Sequence, residues 1–246
     1  MKVATWNVNG IRARGEQFVE FVASEQPDVI CLQEIKAKLE QIPQICSIEG
    51  YTCYWHGAGG YSGVGLHVRR GFAGQVEFQH PEFDHETRIV EAQIGDTVFT
   101  SVYVPNGGKD FDAKVAFIHS LIGYAAAIRE RGLKLILCGD MNIARTEMDV
   151  HPKERKPRAI GQLPEERELL EKLIAQGLVD VGRSLYPEDE NYFTWWAPWR
   201  SLRQRNIGWR LDYVLASTSI ASLAVSCPSL REVGSSDHAP VVATFT

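Results

Sequence analysis

The sequence has no Pro/Gly/Ser-rich linker and no low-complexity run. Its 246 residues are therefore expected to form one domain, 1–246, rather than several. No apolar run approaches the roughly 20 residues that span a bilayer, which argues against a membrane protein. The first ten residues enter an alternating strand pattern directly, without the apolar segment of a secretory leader. No CxxC pair occurs, the cysteines number five, and Cys31 and Cys138 fall inside apolar strand patterns. A zinc centre and a disulfide framework are both disfavoured, and a reducing cytoplasm is expected. Net positive charge is also lacking: 26 Lys and Arg against 31 Asp and Glu give −5. Nucleic acid would not coat the whole surface, although a local basic face stays open. Gly59–Gly63 is no phosphate cradle, since neither a Lys nor a helix follows it.

What the chain does have is a series of apolar strands that end in polar side chains. Lys134–Gly139 is an apolar run closed by Gly139-Asp140-Met141-Asn142. Asp and Asn favour turns, which is the plain explanation. The functional one is that residues two apart on a strand point the same way, so Asp140 and Asn142 reach one rim together. Lys2–Asn7 ends in Trp6-Asn7-Val8-Asn9-Gly10, and Val29–Glu34 ends in a carboxylate. Val98–Val104 runs into Tyr103-Val104-Pro105-Asn106. Gly208–Ala216 reads as another strand, with Asp212 near its beginning, and Ser235-Ser236-Asp237-His238 precedes the last one. An Asp-His pair on a small-residue loop is a better acid–base or metal candidate than a lone His.

Further short strands are expected at Tyr51–His56, Gly63–Arg69, Gly74–Phe78 and Ile89–Ile94. Amphipathic helices are expected at Gln17–Glu25, Phe111–Arg131 and Glu165–Gln176. Helix–Gly–strand succession is the usual build of an α/β layer. Lys153, Arg155, Lys156 and Arg158 read most simply as a solvated loop. Trp195, Trp196 and Trp199 with Arg200, Arg203, Arg205 and Arg210 read as a surface that stacks on sugar or base and contacts phosphate. The strand-end residues are rich in oxygen donors and contain no cysteine, a set that suits Mg²⁺, with Mn²⁺ as substitute, and phosphoryl chemistry.

The segments Trp6–Arg12, Leu32–Glu34, Tyr103–Gly107, Gly139–Asn142, Gly208–Tyr213 and Ser235–His238 resemble, in order, those of the exonuclease III family of AP endonucleases. That family lies within the endonuclease/exonuclease/phosphatase superfamily. The resemblance covers essentially the whole chain. It implies a four-layer α/β sandwich, with two mostly antiparallel β-sheets face to face and helices outside. It implies Mg²⁺-dependent hydrolysis 5′ to an abasic site in duplex DNA, with 3′-exonuclease and 3′-end-cleaning activity, by a monomer in a bacterial or archaeal cytoplasm. By resemblance, Glu34 is the main metal ligand, helped by Asn7 and Asp237, and Asp140, Asn142 and His238 complete the metal set. Asp140 would activate the water, Asn142 would stabilise the transition state, and Asp212 would orient His238. Tyr103 and Asn106 would contact the phosphate. Trp195, Trp199, Trp209 and Leu211 would form a pocket for a flipped-out sugar, where the absent base lowers the flipping cost. Arg12, Lys109 and Arg205 would meet the DNA backbone, and a metal role for Asn9 is doubtful.

Overall fold

A computed structural model describes residues 1–246. The strands are β1 (Lys2–Asn7), β2 (Val29–Gln33), β3 (Tyr51–His56), β4 (Val64–Arg69), β5 (Phe78–Gln79), β6 (Ile89–Ile94), β7 (Thr97–Tyr103), β8 (Lys134–Asp140), β9 (Leu178–Asp180), β10 (Asp212–Ser217), β11 (Ala224–Ser226) and β12 (Val241–Phe245). The helices are α1 (Ile11–Glu25), α2 (Phe111–Glu130), α3 (Pro164–Ile174), α4 (Val181–Leu185) and α5 (Thr218–Ala221). One sheet runs β11-β12-β1-β2-β4-β3 and the other β5-β6-β7-β8-β10-β9. Each sheet holds a single parallel pair, β1–β2 or β7–β8, and its other neighbours are antiparallel. Parallel neighbours need a crossover, and α1 and α2 supply it.

The sheets pack face to face over Val3, Cys31, Leu66, Phe99, Ile136, Cys138 and Val214. The alternate side chains of the same strands point outward. Trp6, Ile30 and Leu32 meet Phe18 and Phe21 of α1, and Val102 and Leu137 meet the Phe117–Leu121 stretch of α2 and Leu169 of α3. Burial on both faces is why the central strands read as continuous apolar runs. The order helix, sheet, sheet, helix is the expected four-layer sandwich.

Several elements differ from the sequence expectation. α1 begins at Ile11 rather than Gln17, because buried Ile11 extends the apolar stripe of Phe18 and Val22 by two turns. The strand expected at Gly74–Phe78 shrinks to Phe78–Gln79. α2 has 20 residues and is, by length and composition alone, long and apolar enough to cross a membrane, contrary to the expectation. It lies on the sheet instead, with Phe117, Ile118, Leu121, Ala125 and Ile128 buried. All five cysteines are free thiols.

Candidate active site

Both parallel pairs end at the same rim. β1 and β2 finish in register at Asn7 and Gln33, and β7 and β8 at Tyr103 and Asp140. The antiparallel partner β10 begins there, with Asp212 directly opposite Asp140. Topology therefore gathers side chains that lie far apart in sequence. A side chain at Gly139 would collide with the Val102 carbonyl, so the glycine of Gly-Asp-x-Asn lets β8 press against β7 just before Asp140. Glu34, Lys36, Asn9 and Asn142 all adopt left-handed backbone, with φ of 50°, 49°, 45° and 51°. Such conformations are costly and are concentrated at sites that need them.

Asn7 joins the two sheets. Its Nδ2 donates to Glu34 Oε1 at 2.9 Å and to Asp140 Oδ2 at 3.0 Å, while its Oδ1 accepts from the Asn9 backbone N–H. The expected ligand oxygen thus faces away from the carboxylates. In this arrangement Asn7 aligns Glu34 and Asp140 rather than adding a donor to them. Asp140 Oδ1 accepts from the Asn142 backbone N–H at 2.8 Å. The Asn142 amide donates to the Val104 carbonyl, and its Oδ1 accepts from Asn106. One amide N–H is thus taken by Val104, and the nitrogen also lies 3.4 Å from Asp140 Oδ2.

His238 Nδ1 lies 2.8 Å from Asp212 Oδ2, and its Nε2 lies 3.8 Å from Asp140 Oδ2. Burial disfavours a charged imidazole. The charges of Asp212 and Asp140 and the bond to Asp212 outweigh it and push the His238 pKa up to about 10. Burial raises the Asp140 pKa to about 7; the His238 charge opposes that rise, and Asp212 and Glu34 add to it. Glu34 is also buried, but hydrogen bonds from Asn7 and Lys36 and the His238 charge hold it below the usual carboxylate range. Burial and the carboxylates of Glu34 and Asp140 keep the Tyr103 hydroxyl protonated.

One oxygen or nitrogen from each of Glu34, Asp140 and His238 lies within 4.8 Å of the other two; the two carboxylates suit a cation, whereas His238, held protonated by Asp212, offers no lone pair and departs from the expected ligand set. Asp237 is outside this trio. Its two oxygens accept from Asn9 Nδ2 at 2.7 Å and Trp195 Nε1 at 3.0 Å, and the bonds from Trp195 and Asn9 together with the His238 charge overcome burial and depress its pKa. Glu34 and His238 of this cluster line a cavity of about 330 Å³, whose walls include Trp195, Trp209, Leu211, Gly161 and Tyr103. Trp195 and Trp209 meet edge to face at 5.5 Å. Trp199 is not among these walls. It is 60% exposed and borders the neighbouring cavity with Arg200 and Arg203, because Pro198 carries it outward past buried Trp196.

The basic candidates divide as well. Arg12, Lys109, Arg200 and Arg205 are exposed. Arg210, expected on the Trp/Arg surface, is buried and donates to Asp149 and Asp180. Arg203 is turned back onto the carbonyls of Arg231, Val233 and Ser236. Asn106 is exposed at the cavity edge.

Three supporting residues escaped the sequence reading. Lys36 Nζ lies 2.5 Å from Glu34 Oε2 and 2.6 Å from Asn9 Oδ1. Thr194 Oγ1 donates to Asp212 Oδ2 at 2.6 Å and accepts from the Leu211 and Asp212 backbone N–H groups. Buried Lys114 donates to the Asn106 and Asn142 carbonyls and pairs with buried Glu166 at 2.5 Å. Only Lys36 left a signal, its place two residues after Glu34.

The profile of the Endonuclease/Exonuclease/phosphatase family matches residues 4–238. An exodeoxyribonuclease of Bacillus subtilis is 33% identical, over 98% of this chain and 98% of that protein. A 3′ phosphatase from Neisseria, solved bound to a product DNA hairpin, superposes with a TM-score of 0.90 at 29% identity, over 100% of this chain and 99% of that one. An AP endonuclease from Archaeoglobus fulgidus gives 0.89 at 28% identity, again over 100% and 99%.

Proposed function

This chain belongs to the endonuclease/exonuclease/phosphatase family, and on that premise we propose that it is a DNA repair nuclease that cleaves 5′ to abasic sites in duplex DNA. The observation that carries the reading is the placement of Glu34 and His238, with Asp140 against them, in a cavity walled by Trp195, Trp209 and Leu211. The aromatic and aliphatic walls suit a sugar that carries no base. The same cavity serves 3′ ends, in keeping with the exodeoxyribonuclease and 3′ phosphatase among its relatives. Residues 1–246 act as one catalytic domain and as a monomer, in the cytoplasm of a bacterial or archaeal cell.

The family is metal-dependent, and the site's hard oxygen donors fit Mg²⁺, with Mn²⁺ as substitute. Glu34 and Asp140 would hold the ion, with Asp237 alongside. When bound it neutralises phosphate charge. Asp140 takes the proton of the attacking water, held in place by the Asn142 backbone N–H and the Asn7 amide. His238, kept cationic by Asp212, donates from Nε2 to a phosphate oxygen whose charge grows in the transition state. Tyr103 remains a neutral hydroxyl donor beside it. Asn106 contacts the phosphate from the cavity edge, and Lys109, Arg12 and Arg205 reach the flanking backbone.

The test uses a duplex with one tetrahydrofuran abasic analogue. Incision in Mg²⁺ that leaves a 3′-hydroxyl, and that stops in EDTA, is the expected result. An uncut duplex in Mg²⁺, or full cleavage in excess EDTA, overturns the reading.

A further inference from the structure

A second group of metal-binding side chains lies where the outer edges of the two sheets meet. β3 is the edge strand of one sheet and β5 of the other. His56 ends β3, His80 follows β5, and Asp84 lies in the loop that leads to β6. We propose that His56, His80 and Asp84 bind one transition-metal ion of the zinc class, which clips the two sheet edges together.

One ligand atom from each of the three lies within 4.8 Å of the other two. His56 Nε2 is 2.6 Å from Asp84 Oδ2, and the two imidazoles stack with centroids 3.8 Å apart. The surrounding hydrogen bonds already orient the ligands. Asp84 Oδ1 accepts from the backbone N–H groups of Arg88 and Ile89, at 2.9 and 3.1 Å, which leaves Oδ2 for a cation. His80 Nδ1 lies 3.2 Å from the Ile89 carbonyl, a contact that places the proton on Nδ1 and the lone pair on Nε2. A histidine that donates its other ring N–H to a backbone carbonyl is the usual supporting arrangement of a metal ligand. Tyr54, stacked on Phe78 at 4.8 Å, brings its hydroxyl within 2.8 Å of that Nε2 and marks where an incoming ion would displace it.

The donor set selects the class of ion. Two imidazoles and one carboxylate suit zinc and its neighbours and do not suit Mg²⁺. An ion pair with Asp84 needs only His56; the second ring, stacked on the first, gains a role when both serve as neutral donors to one cation. Metal–nitrogen bonds of about 2.0–2.1 Å put tetrahedral ligands roughly 3.3 Å apart, so His56 and Asp84, now 2.6 Å apart, must part slightly while His80 closes in. The exposed ring of His80 can turn inward to do so.

The loop that the ion would tether reaches the catalytic rim. Four residues after Asp84, Arg88 lies over the Tyr103 ring at 4.8 Å and donates to the Tyr103 carbonyl at 3.4 Å. Glu86 and Thr87, between them, have left-handed backbone at φ of 56° and 57°. Metal at the edge would therefore fix the segment that backs Tyr103.

The test is zinc binding to metal-stripped protein that carries Glu34→Gln and Asp140→Asn, so that the catalytic centre does not contribute. Competition against a chromophoric chelator should give one equivalent of zinc, and cobalt should give visible d–d bands. His80→Ala and, separately, His56→Gln should each weaken zinc binding by more than about tenfold and abolish the cobalt bands. Melting of each variant without metal, compared with its parent, shows that the fold is kept. Absence of zinc binding in the parent, or binding that either variant leaves unchanged, overturns the proposal.

Discussion

Asp140 and Asp212 face each other across the antiparallel β8–β10 pair, and His238 bridges them. Its Nδ1 is at hydrogen-bond range of Asp212, and its Nε2 lies 3.8 Å from Asp140. The two carboxylates are otherwise held differently. Thr194, in the loop before Trp195, anchors Asp212, whereas Asn7 reaches Asp140 from the opposite sheet. One aspartate is thus committed to the imidazole, and the other sits beside Glu34, held by Asn7 and the Asn142 backbone N–H.

This arrangement predicts non-additive kinetics. Asp212→Asn and His238→Asn should each lower kcat by about 10²–10³, the range seen when one transition-state donor is lost. The double variant should be far less damaged than the product of the two losses, because Asp212 acts through His238. Single-turnover rates on the abasic duplex make the comparison. Losses that multiply fully would mean that the pair is not coupled.

The pH profile should have two limbs. Asp140 must lose its proton to act as base, so kcat/KM should rise as pH passes about 7. Added Mg²⁺ favours the carboxylate and should move this limb to lower pH. His238 must keep its proton, so activity should fall as pH passes about 10. Stability follows the same signs. The folded-state pKa of His238 lies above its ordinary 6.5, so its stabilising contribution is complete below 6.5 and is lost as pH rises through about 10. For Asp140, raised from 3.8 to about 7, stability declines as pH climbs between those values. A rate that is independent of pH from about 6 to 8 at limiting Mg²⁺ would remove Asp140 as the base.

The layers and the strand-end residues were legible because strands buried on both faces leave unbroken apolar runs, and the polar residue that breaks each run marks the rim. Arg210 was misplaced for the opposite reason. Nothing local in Gly208–Tyr213 shows that Asp149 and Asp180, from distant segments, surround its guanidinium. Lys114 is hidden in the same way, since its partner Glu166 lies in another helix. Short β9, α4, α5 and β11 carry too few residues for a period to show. Trp195 and Trp199 share a stretch of sequence, yet only the first lines the cavity, because the turn at Pro198 separates them.

Buried and exposed arginines should therefore respond differently. Arg210→Met leaves Asp149 and Asp180 facing each other without their shared cation, and should cost about 3–5 kcal/mol in urea unfolding. The Asp149 pKa is held down to about 2, mainly by Arg210 and Arg183 against the effect of burial. Its contribution is present above 3.8 and is lost as pH falls through about 2. Arg205→Ala and Lys109→Ala should leave stability nearly unchanged. Each should reduce the slope of log K against log [salt] for duplex binding by about 0.9. Slopes equal to the parent's would show that these two side chains do not meet DNA.

Gly161 offers a test of the cavity itself. Its φ is +88°, and an added Cβ would lie 3.1 Å from Trp209 Cζ3 and 3.2 Å from the Asn142 carbonyl. Its N–H donates to Glu166 Oε2 at 2.6 Å, and its carbonyl accepts from the Ala144 N–H at 2.7 Å, so the backbone cannot easily move away. Gly161→Ala should cost about 1–2 kcal/mol for the left-handed backbone alone. The methyl must then displace the Trp209 ring, one wall of the sugar pocket, or the loop that carries Asn142. Incision of the abasic duplex, measured well below the melting temperature, should fall by at least about tenfold in kcat/KM, equivalent to about 1.4 kcal/mol of transition-state binding. A variant that melts lower but cuts at the parent's rate would show that Trp209 does not shape the pocket that receives the substrate.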